Sequence, residues 1–263
     1  MNPINDYLKD AVRELQGEKA FTYLAKARDV AERKGIKVIS FGIGQPDIPT
    51  FDNIISAAKK ALDDKFTGYT ETEGIRELRE AIADYLNYRY HAGVRPDEVI
   101  VTTGTKTAIF LAMAAYVRPG DEVIIPDPTY PAYPELTKFF GGKPVYVSMR
   151  FNPEDGFRLD LEVIESSITP RTRAIVINNP HNPTGAIFKP EEVSKLLEIA
   201  KDHKLLVIVD EIYDNFVYEQ GAFKSVLELE PEWRNYILYT NGFSKTFSMT
   251  GWRLGYLVAS REV

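Results

Sequence analysis

A lysine and an arginine suited to chemistry lie near the end of the chain, in the segment "NGFSKTFSMTGWRLGY". Lys245 stands among small and aromatic residues, where an amine loses its proton more readily than in water and becomes a nucleophile for carbonyl groups. Arg253 offers a planar guanidinium, which binds phosphate through paired hydrogen bonds. The segment therefore indicates a carbonyl-binding amine beside an anion site, with a solvated lysine and a structural ion pair as the alternatives.

An acidic and a phenolic side chain follow the apolar run "LLVIVD". Asp210 ends this run, where an ionised carboxylate needs a positive or hydrogen-donating partner to offset its desolvation. Tyr213 comes three residues later and can lie on the same side of a turn. Asp210 could bind the N–H of a protonated heterocycle and Tyr213 a phenolate oxygen, whereas an acidic helix cap is the alternative.

Two further segments have the residue types of a ligand-binding loop. "TTGTKTA" contains Gly104, Thr105 and Lys106 at a strand-to-helix turn, and the free N–H groups of a helix start can bind phosphate. A plain helix cap is the alternative. "NNPHNPTG" has the composition of a turn, but a strand that runs directly into it would direct Asn182 toward the same edge as Asp210.

The elements that must position these residues follow from hydrophobic periodicity. Runs rich in β-branched residues predict seven strands, at 99–102, 122–126, 144–148, 173–178, 205–210, 236–240 and 255–259. Helical patterns lie between several of them, at 105–117, 130–140, 160–167 and 190–203. This alternation predicts an α/β fold, a mostly parallel seven-stranded sheet with helices on both faces. Ligands of such sheets bind beyond the carboxyl ends of the strands, where the candidate residues would meet.

The chain before the first of these strands contains two further helical patterns and a short extended segment. Amphipathic patterns indicate helices at 53–65 and 74–90, and 36–50 reads as one short strand followed by a turn. We interpret residues 1–45 as an N-terminal arm and connector, and residues 46–263 as the sheet domain.

The composition narrows the kinds of partner. A formal net charge of −6 without a long basic run disfavours nucleic acid and anionic membranes, and the longest apolar run, 108–117, is too short to span a bilayer. The chain has no cysteine, and its three histidines lack metal-ligand spacing, so we expect neither a disulfide nor a metal site. The charged amino terminus is unlike a signal peptide, which leads us to expect a cytoplasmic protein that binds small molecules.

Three motifs in this order, "NNPHNPTG", "VDEIYDNFVY" and "NGFSKTFSMTGWRLGY", closely resemble those of the pyridoxal-phosphate-dependent aminotransferases of fold type I, the aspartate aminotransferase superfamily. "GIGQPDIPT", "YTETEGIRELREAIA" and "PDPTYPAY" precede them and strengthen the resemblance, which runs from about Ile39 to Val263. It implies a pyridoxal 5′-phosphate enzyme that moves an amino group between an L-amino acid and a 2-oxo acid by a ping-pong mechanism through a Lys245 aldimine.

The same resemblance implies roles for the candidate residues. Lys245 would carry the cofactor and shuttle a proton, while Asp210 would keep the pyridine nitrogen protonated. Tyr213 and Asn182 would bond the 3′-oxygen. The remaining cofactor contacts would come from Tyr130, which stacks on the ring, and from the phosphate-binding residues Gly104, Thr105, Lys106 and Arg253.

Two implied contacts reach beyond this set. Tyr69 matches a tyrosine that the family supplies to the phosphate from a second subunit, which implies a homodimer. Gly44 matches the backbone element beside the substrate carboxylate, and Asn182 is the other candidate substrate contact. Lys106 is expected beside the phosphate; the alternative, a contact with a distal carboxylate, would point to aspartate or glutamate. A cis peptide between Asn182 and Pro183 is also expected.

The sequence departs from the family pattern in two places. Gly242 stands where many relatives have a hydroxyl residue, and Ser244 is a candidate substitute. Relatives also continue into a small carboxyl-terminal domain with an arginine for the substrate carboxylate, which would lie beyond Val263. We therefore expect either a fragment of a longer enzyme or a chain that binds the cofactor but is catalytically incomplete. A lyase of the C–S lyase or cyclopropane-forming type shares these motifs and is the alternative enzyme class.

Overall fold

The computed structural model describes residues 19–263 together with Val12 and Leu15. The part of the predicted arm before Lys19 therefore lies outside the described residues, apart from Val12 and Leu15. The division between an arm and connector at 1–45 and a sheet domain at 46–263 stays a prediction.

The described helices are α1 (Lys19–Lys34), α2 (Asp52–Asp63), α3 (Arg76–Tyr90), α4 (Thr105–Tyr116), α5 (Ala132–Phe139), α6 (Leu161–Ser166), α7 (Pro190–Asp202) and α8 (Val226–Leu229). The six predicted helices correspond to α2–α7. Local chemistry marks their starts: the Asp160 carboxylate caps α6 by accepting from Val163 N at 3.2 Å, and α7 begins at Pro190. Within the described part of the chain, no helix combines the length and the apolar character needed to cross a membrane.

The strands are β1 (Val99–Thr102), β2 (Glu122–Asp127), β3 (Lys143–Ser148), β4 (Arg150–Asn152), β5 (Gly156–Arg158), β6 (Thr172–Asn178), β7 (Leu206–Asp210), β8 (Ile237–Gly242) and β9 (Gly255–Val258). Seven of them form one sheet in the order β1-β9-β8-β7-β6-β2-β3. Its β7–β8, β6–β7, β2–β6 and β2–β3 pairs are parallel, whereas β9 runs antiparallel to both neighbours. The predicted fold class is confirmed, and β4 and β5 add a separate hairpin that was not predicted.

The alternation of side chains along the central strands explains why helices cover both faces. On β6, Ile175 and Ile177 belong to one buried apolar cluster, while Ala174 and Val176 belong to another on the opposite face. Leu86 of α3 joins the first cluster, which also includes the buried residues of α7 and α8. The second cluster contains buried apolar residues of α4 together with Tyr133 of α5. Helices α3, α7 and α8 thus cover one face of the sheet, and α4 and α5 cover the other.

The prediction of a short strand within 36–50 is wrong, because the structure has no strand there. Ile39 is 80% exposed and Phe41 is 94% exposed, and none of the described strands pairs with this segment. Its β-branched residues favour an extended backbone, but a strand also needs a neighbouring strand to accept and donate its backbone hydrogen bonds.

The sheet brings several chain segments to one edge. The parallel strands end there with Asn178 on β6 and Asp210 on β7, which are partners in the ladder. Because β9 runs in the opposite direction, its first residue, Gly255, lies at the same edge, opposite Gly242. Arg253 therefore reaches this edge from the beginning of a strand, while the other polar residues reach it from strand ends.

Candidate active site

A cleft of about 660 Å³ lies at this edge of the sheet. The predicted site residues that line it are Gly44, Thr105, Lys106, Tyr130, Asn182, Asp210, Tyr213, Lys245 and Arg253. Gly104 lies directly beneath Arg253, because a Cβ atom on it would come within 2.4 Å of the guanidinium. Tyr69 is fully exposed and does not line the cleft.

Asp210 is a buried carboxylate at the bottom of the cleft, only 5% exposed. Its Oδ2 accepts a hydrogen bond from the Tyr133 hydroxyl at 2.7 Å, and its Oδ1 accepts from Ile212 N at 3.1 Å. Burial raises the pKa of Asp210 to about 6, although both hydrogen bonds and the charge of Lys245 act in the opposite direction. A cationic N–H group in the cleft would give this buried carboxylate a positive partner at short range.

Lys245 reaches into the cleft from the segment after β8. Its Nζ donates to the carbonyl oxygen of Gly44 and lies 5.5 Å from the centre of the Tyr213 ring. The side chain is half-buried, and the turn that carries it is closed by a hydrogen bond from Ser248 N to the Lys245 carbonyl at 3.1 Å. The amine is thus held between the connector segment and the turn that follows β7.

The Tyr213 hydroxyl lies beside Gly44, where an added Cβ atom would come within 3.1 Å of it. Burial raises the pKa of Tyr213 to about 12, and the charge of Asp210 adds to this effect. The phenol therefore keeps its proton at neutral pH and can donate a hydrogen bond to an anionic oxygen in the cleft.

The start of α4 and the guanidinium of Arg253 form a compact basic cup. Gly104 has a positive φ of 82°, and this left-handed conformation lets Arg253 pack against its backbone without a side chain between them. Gly255 allows an equally close approach on the other side, because a Cβ atom there would lie 2.5 Å from Thr105 N. The N–H groups at the start of α4, its dipole and the arginine together suit a phosphate group.

Lys106 and Tyr130 stand on the neighbouring wall. The Lys106 Nζ lies 5.7 Å from the centre of the Tyr130 ring, which in turn meets the Tyr133 ring edge to face at 5.5 Å. The aromatic ring is therefore fixed in place and can offer a flat surface to a planar ligand.

The loop after β6 brings Asn182 to the cleft. Asn178 holds this loop: its Oδ1 accepts from Asn182 N at 2.6 Å, and its Nδ2 donates to the Asp210 carbonyl at 2.8 Å. The peptide between Asn182 and Pro183 is cis, as predicted, and the peptides before Pro128 and Pro180 are cis as well. His181 in this loop is buried, which lowers its pKa to about 4 and leaves it neutral.

The structure explains the glycine at position 242. A Cβ atom there would lie 2.8 Å from Thr105 Oγ1 and 2.9 Å from the Gly255 Cα. The hydroxyl of Thr105 fills this space and donates to the Asn241 carbonyl at 3.1 Å. Ser244, the predicted substitute, is buried and also lines the cleft.

Sequence reasoning missed Tyr133 and gave no separate role to Asn178. Tyr133 follows Tyr130 by three positions in "YPAY", a spacing that places both on one side of a helix start and could have indicated a shared role. Among the residues that the structure describes, no group of acidic or histidine side chains is arranged to hold a metal ion.

The cleft thus combines an amine, a buried carboxylate, a phenol, an aromatic wall and a basic cup at the carboxyl edge of a parallel sheet. The fold is that of an α/β protein with a parallel sheet, and the chemistry of these side chains suits a phosphorylated, planar, cationic heterocycle. Residues 36–263 match the family model for aminotransferase class I and II, and the chain belongs to that family.

Two of the similar proteins are named aspartate aminotransferases. Those of Sulfurisphaera tokodaii and Sulfolobus acidocaldarius are 56% and 53% identical to the chain over 261 and 260 residues. Each alignment covers 99% of the chain but 64% of the relative, so the chain spans less than two thirds of the length of these proteins.

Solved structures have the same fold over nearly all of the chain's length. The aspartate aminotransferase of Thermus thermophilus with maleate superimposes with a TM-score of 0.89 at 38% identity, covering 97% of this chain and 65% of that one. The enzyme of Thermotoga maritima gives a TM-score of 0.90 at 37% identity, covering 97% and 67%.

Proposed function

We propose that the protein is a pyridoxal-phosphate-dependent aminotransferase, with aspartate and a 2-oxo acid as its substrates. The observation that carries the proposal is the pairing of a buried carboxylate, Asp210, with a half-buried amine, Lys245, across one cleft beside a phosphate-suited helix start. When bound, the cofactor supplies an aldehyde that condenses with amines and a pyridinium ring that withdraws electrons from the substrate Cα.

The residues present fit this cofactor. The start of α4 with Gly104, Thr105 and Lys106 would bind the phosphate together with Arg253. The Asp210 carboxylate would accept the pyridinium N–H, and a buried cation at that point offsets the desolvation that raises the pKa of Asp210. Opposite it, the donors for the ring oxygen would be the Tyr213 hydroxyl and the Asn182 amide, while Tyr130 would stack on the ring.

Lys245 would act as the proton carrier of the reaction. Its amine donates to the Gly44 carbonyl at the cleft wall. The segment that contains Gly44 is also the one that would contact the substrate carboxylate. After substrate displaces it, the amine would take the proton from the substrate Cα as a base. It would later give the proton back as an acid. Gly44 and Asn182 are the proposed substrate contacts on this side of the cleft.

The proposal of aspartate as the amino-acid substrate rests on the relatives. Two of the most similar ones are named aspartate aminotransferases, and one of the solved structures contains maleate. Lys106 lines the cleft and keeps its proposed place beside the phosphate, so we propose no separate residue for the distal carboxylate of aspartate.

A half-reaction experiment separates the proposal from the lyase alternative. Cofactor-loaded protein given aspartate alone should release about one equivalent of oxaloacetate per subunit and then stop until a 2-oxo acid is added. A lyase would continue to turn over without the 2-oxo acid. Protein that binds the cofactor and releases no product would instead be catalytically incomplete.

The control for this experiment is Lys245→Ala, which keeps the cup and Asp210 but has no amine to bind the cofactor covalently. Borohydride reduction of the loaded wild-type protein, followed by peptide mapping, should place the adduct on Lys245. An adduct on another lysine, with Lys245 unmodified, would refute the assignment of the reactive amine.

A further inference from the structure

A group of buried polar side chains lies directly behind the cleft and is not used by the proposed chemistry. Its members are Tyr90, Glu211, Asp214, Tyr239 and Asn241, none of which is more than 4% exposed. They come from α3, the turn after β7, and β8. Buried polar groups of this kind are costly unless each is paired, so their arrangement is specific.

Asn241 is the centre of this group. Its Nδ2 donates to Asp214 Oδ2 at 3.1 Å and to the Tyr239 hydroxyl at 2.9 Å. Its Oδ1 accepts from Gly242 N at 2.7 Å. An amide is the side chain that can donate twice and accept once in this way, and turning it over would place its oxygen against the Asp214 carboxylate.

Asp214 accepts hydrogen bonds from side chains of α3, of β8 and of its own turn. Its Oδ2 accepts from the Tyr90 hydroxyl at 2.7 Å as well as from Asn241, and its Oδ1 accepts from Asn215 Nδ2 at 2.7 Å. Burial nevertheless raises the pKa of Asp214. One carboxylate therefore ties α3 and the end of β8 to the turn that carries Tyr213.

Asn241 also connects this group to the cleft residues on either side. It stands four positions before Lys245 at the end of β8, and its carbonyl accepts from the Thr105 hydroxyl at 3.1 Å. Asp214 directly follows Tyr213. The Asn241–Asp214 hydrogen bond thus joins the backbone that leads to the amine to the turn that holds the phenol and Asp210.

We propose that the Asn241–Asp214 hydrogen bond positions Lys245: Asn241 is a positioning residue that sets the distance between the amine and the Asp210–Tyr213 turn, without touching the ligand. The inference rests on the proposed function for the role of Lys245. A purely structural Asn241 would affect the stability of the fold but would not change how Lys245 reacts.

The test compares Asn241→Asp with the exchanged double variant Asn241→Asp/Asp214→Asn, in protein expressed from the complete gene. The single variant faces two carboxylates toward each other, whereas the exchange restores an amide–carboxylate pair with the roles reversed. Asn87→Asp is the control, because the Asn87 amide also donates, to the Val94 carbonyl at 2.9 Å, and does not line the cleft.

Two rates are measured on each variant: covalent bond formation between Lys245 and added pyridoxal phosphate, followed by absorbance, and acetylation of Lys245 in cofactor-free protein, followed by peptide mass spectrometry. We expect bond formation to slow about tenfold in Asn241→Asp, and acetylation to quicken because the Gly44 carbonyl no longer holds the amine. The exchange should return both rates to within about threefold of wild type, and Asn87→Asp should change neither.

Rates for folded Asn241→Asp that match those of Asn87→Asp would overturn the inference, as would an exchanged variant that folds but stays as slow as the single one. Wild-type protein that forms no bond with pyridoxal phosphate would refute the proposed function instead. In that case the acetylation rates still decide the positioning role, because they need no cofactor.

Discussion

Asp210 keeps its carboxylate in the protein interior because two hydrogen-bond donors reach it. The Tyr133 hydroxyl, itself buried, is one of them, at 2.7 Å, and Ile212 N is the other. Tyr133 thereby favours the ionised form that a pyridinium partner requires, against the desolvation that favours the neutral acid. Tyr133, which also lines the cleft, therefore helps to keep a negative charge at the bottom of the site.

Removing this hydroxyl with Tyr133→Phe should weaken the affinity for pyridoxal phosphate about tenfold or more, because a hydrogen bond to a charged group contributes roughly 1.5–3 kcal/mol. The measurement is the dissociation constant by absorbance or fluorescence titration. Tyr236→Phe is a matched control, since its hydroxyl donates to Glu230 at 2.6 Å on a remote surface. Equal losses in the two variants would show that Tyr133 serves only the fold.

At the scale of elements, the site depends on how closely α4 approaches β8 and β9. Gly242 and Gly255 face each other in the antiparallel ladder, and the first turn of α4 lies against both. No side chain fits between them. The N–H groups of the helix are thus presented at the cleft because two strands leave room for the helix start.

Gly242→Ala should push the start of α4 away from β8, because the new methyl group would meet Thr105 Oγ1 and backbone atoms of Leu254 and Gly255 at 3.0 Å or less. We expect a loss of roughly 1–3 kcal/mol in the free energy of unfolding and a weaker affinity for pyridoxal phosphate. Gly68→Ala, whose Cβ atom meets nothing within 4 Å, is the control for thermal unfolding. A Gly242→Ala protein with unchanged stability and affinity would mean that the start of α4 can move to accommodate a methyl group without cost.

At the scale of the whole molecule, one predicted site residue, Tyr69, does not line the cleft of its own chain. Tyr69 follows α2, on the loop that leads to α3, and its side chain is fully exposed. The loop is anchored behind it, where the Glu73 carbonyl accepts from Val101 N on β1 at 2.8 Å. The family resemblance implies that a tyrosine at this position contacts the phosphate of a second copy, and we therefore predict a homodimer.

Mixing two inactive variants tests this arrangement. Tyr69→Ala and Lys245→Ala should each be inactive or nearly so, but refolding them together should recover up to about one quarter of wild-type activity. The hybrid then has one cleft that combines Lys245 of one subunit with Tyr69 of the other. If Tyr69 acts within its own subunit, no hybrid contains a complete site and no activity returns.

The buried acid Glu211 gives the whole fold a pH dependence. Burial raises the pKa of Glu211 from 4.5 to about 8, although Ser225 Oγ and Val226 N donate to it. A group whose pKa is raised by folding stabilises the protein at low pH and loses this contribution as the pH rises through its folded value. The free energy of unfolding should therefore fall between about pH 5 and pH 8, by at most about 1.4 kcal/mol per pH unit for this proton.

Urea unfolding of cofactor-free protein across this pH range measures the slope. Glu211→Gln should make this slope shallower above about pH 6, where Asp210, another acid with a raised pKa, has already ionised. Any slope that remains in the variant then includes Asp214, whose pKa is also raised by burial. A slope that is the same in the variant would assign the pH dependence to other groups.

The sequence by itself determined the order and type of the main elements and most residues of the candidate site. The alternation of strand and helix patterns is local, and the residues at strand ends, such as Asp210 and Asn182, stand in short motifs that can be read without knowing what packs against them. The parallel sheet then brings those ends to one edge, as its topology requires.

Only the tertiary structure decided which side chains support these residues. Tyr133 and Asp210 are 77 positions apart, and Thr105 and Asn241 are 136 apart, so their hydrogen bonds depend on the order of the strands and on which helix covers each face. The lack of a strand within 36–50 has the same origin, because a strand exists only where a neighbour completes its hydrogen bonds. Local patterns carry no information on such neighbours, which are set by the packing of the whole chain.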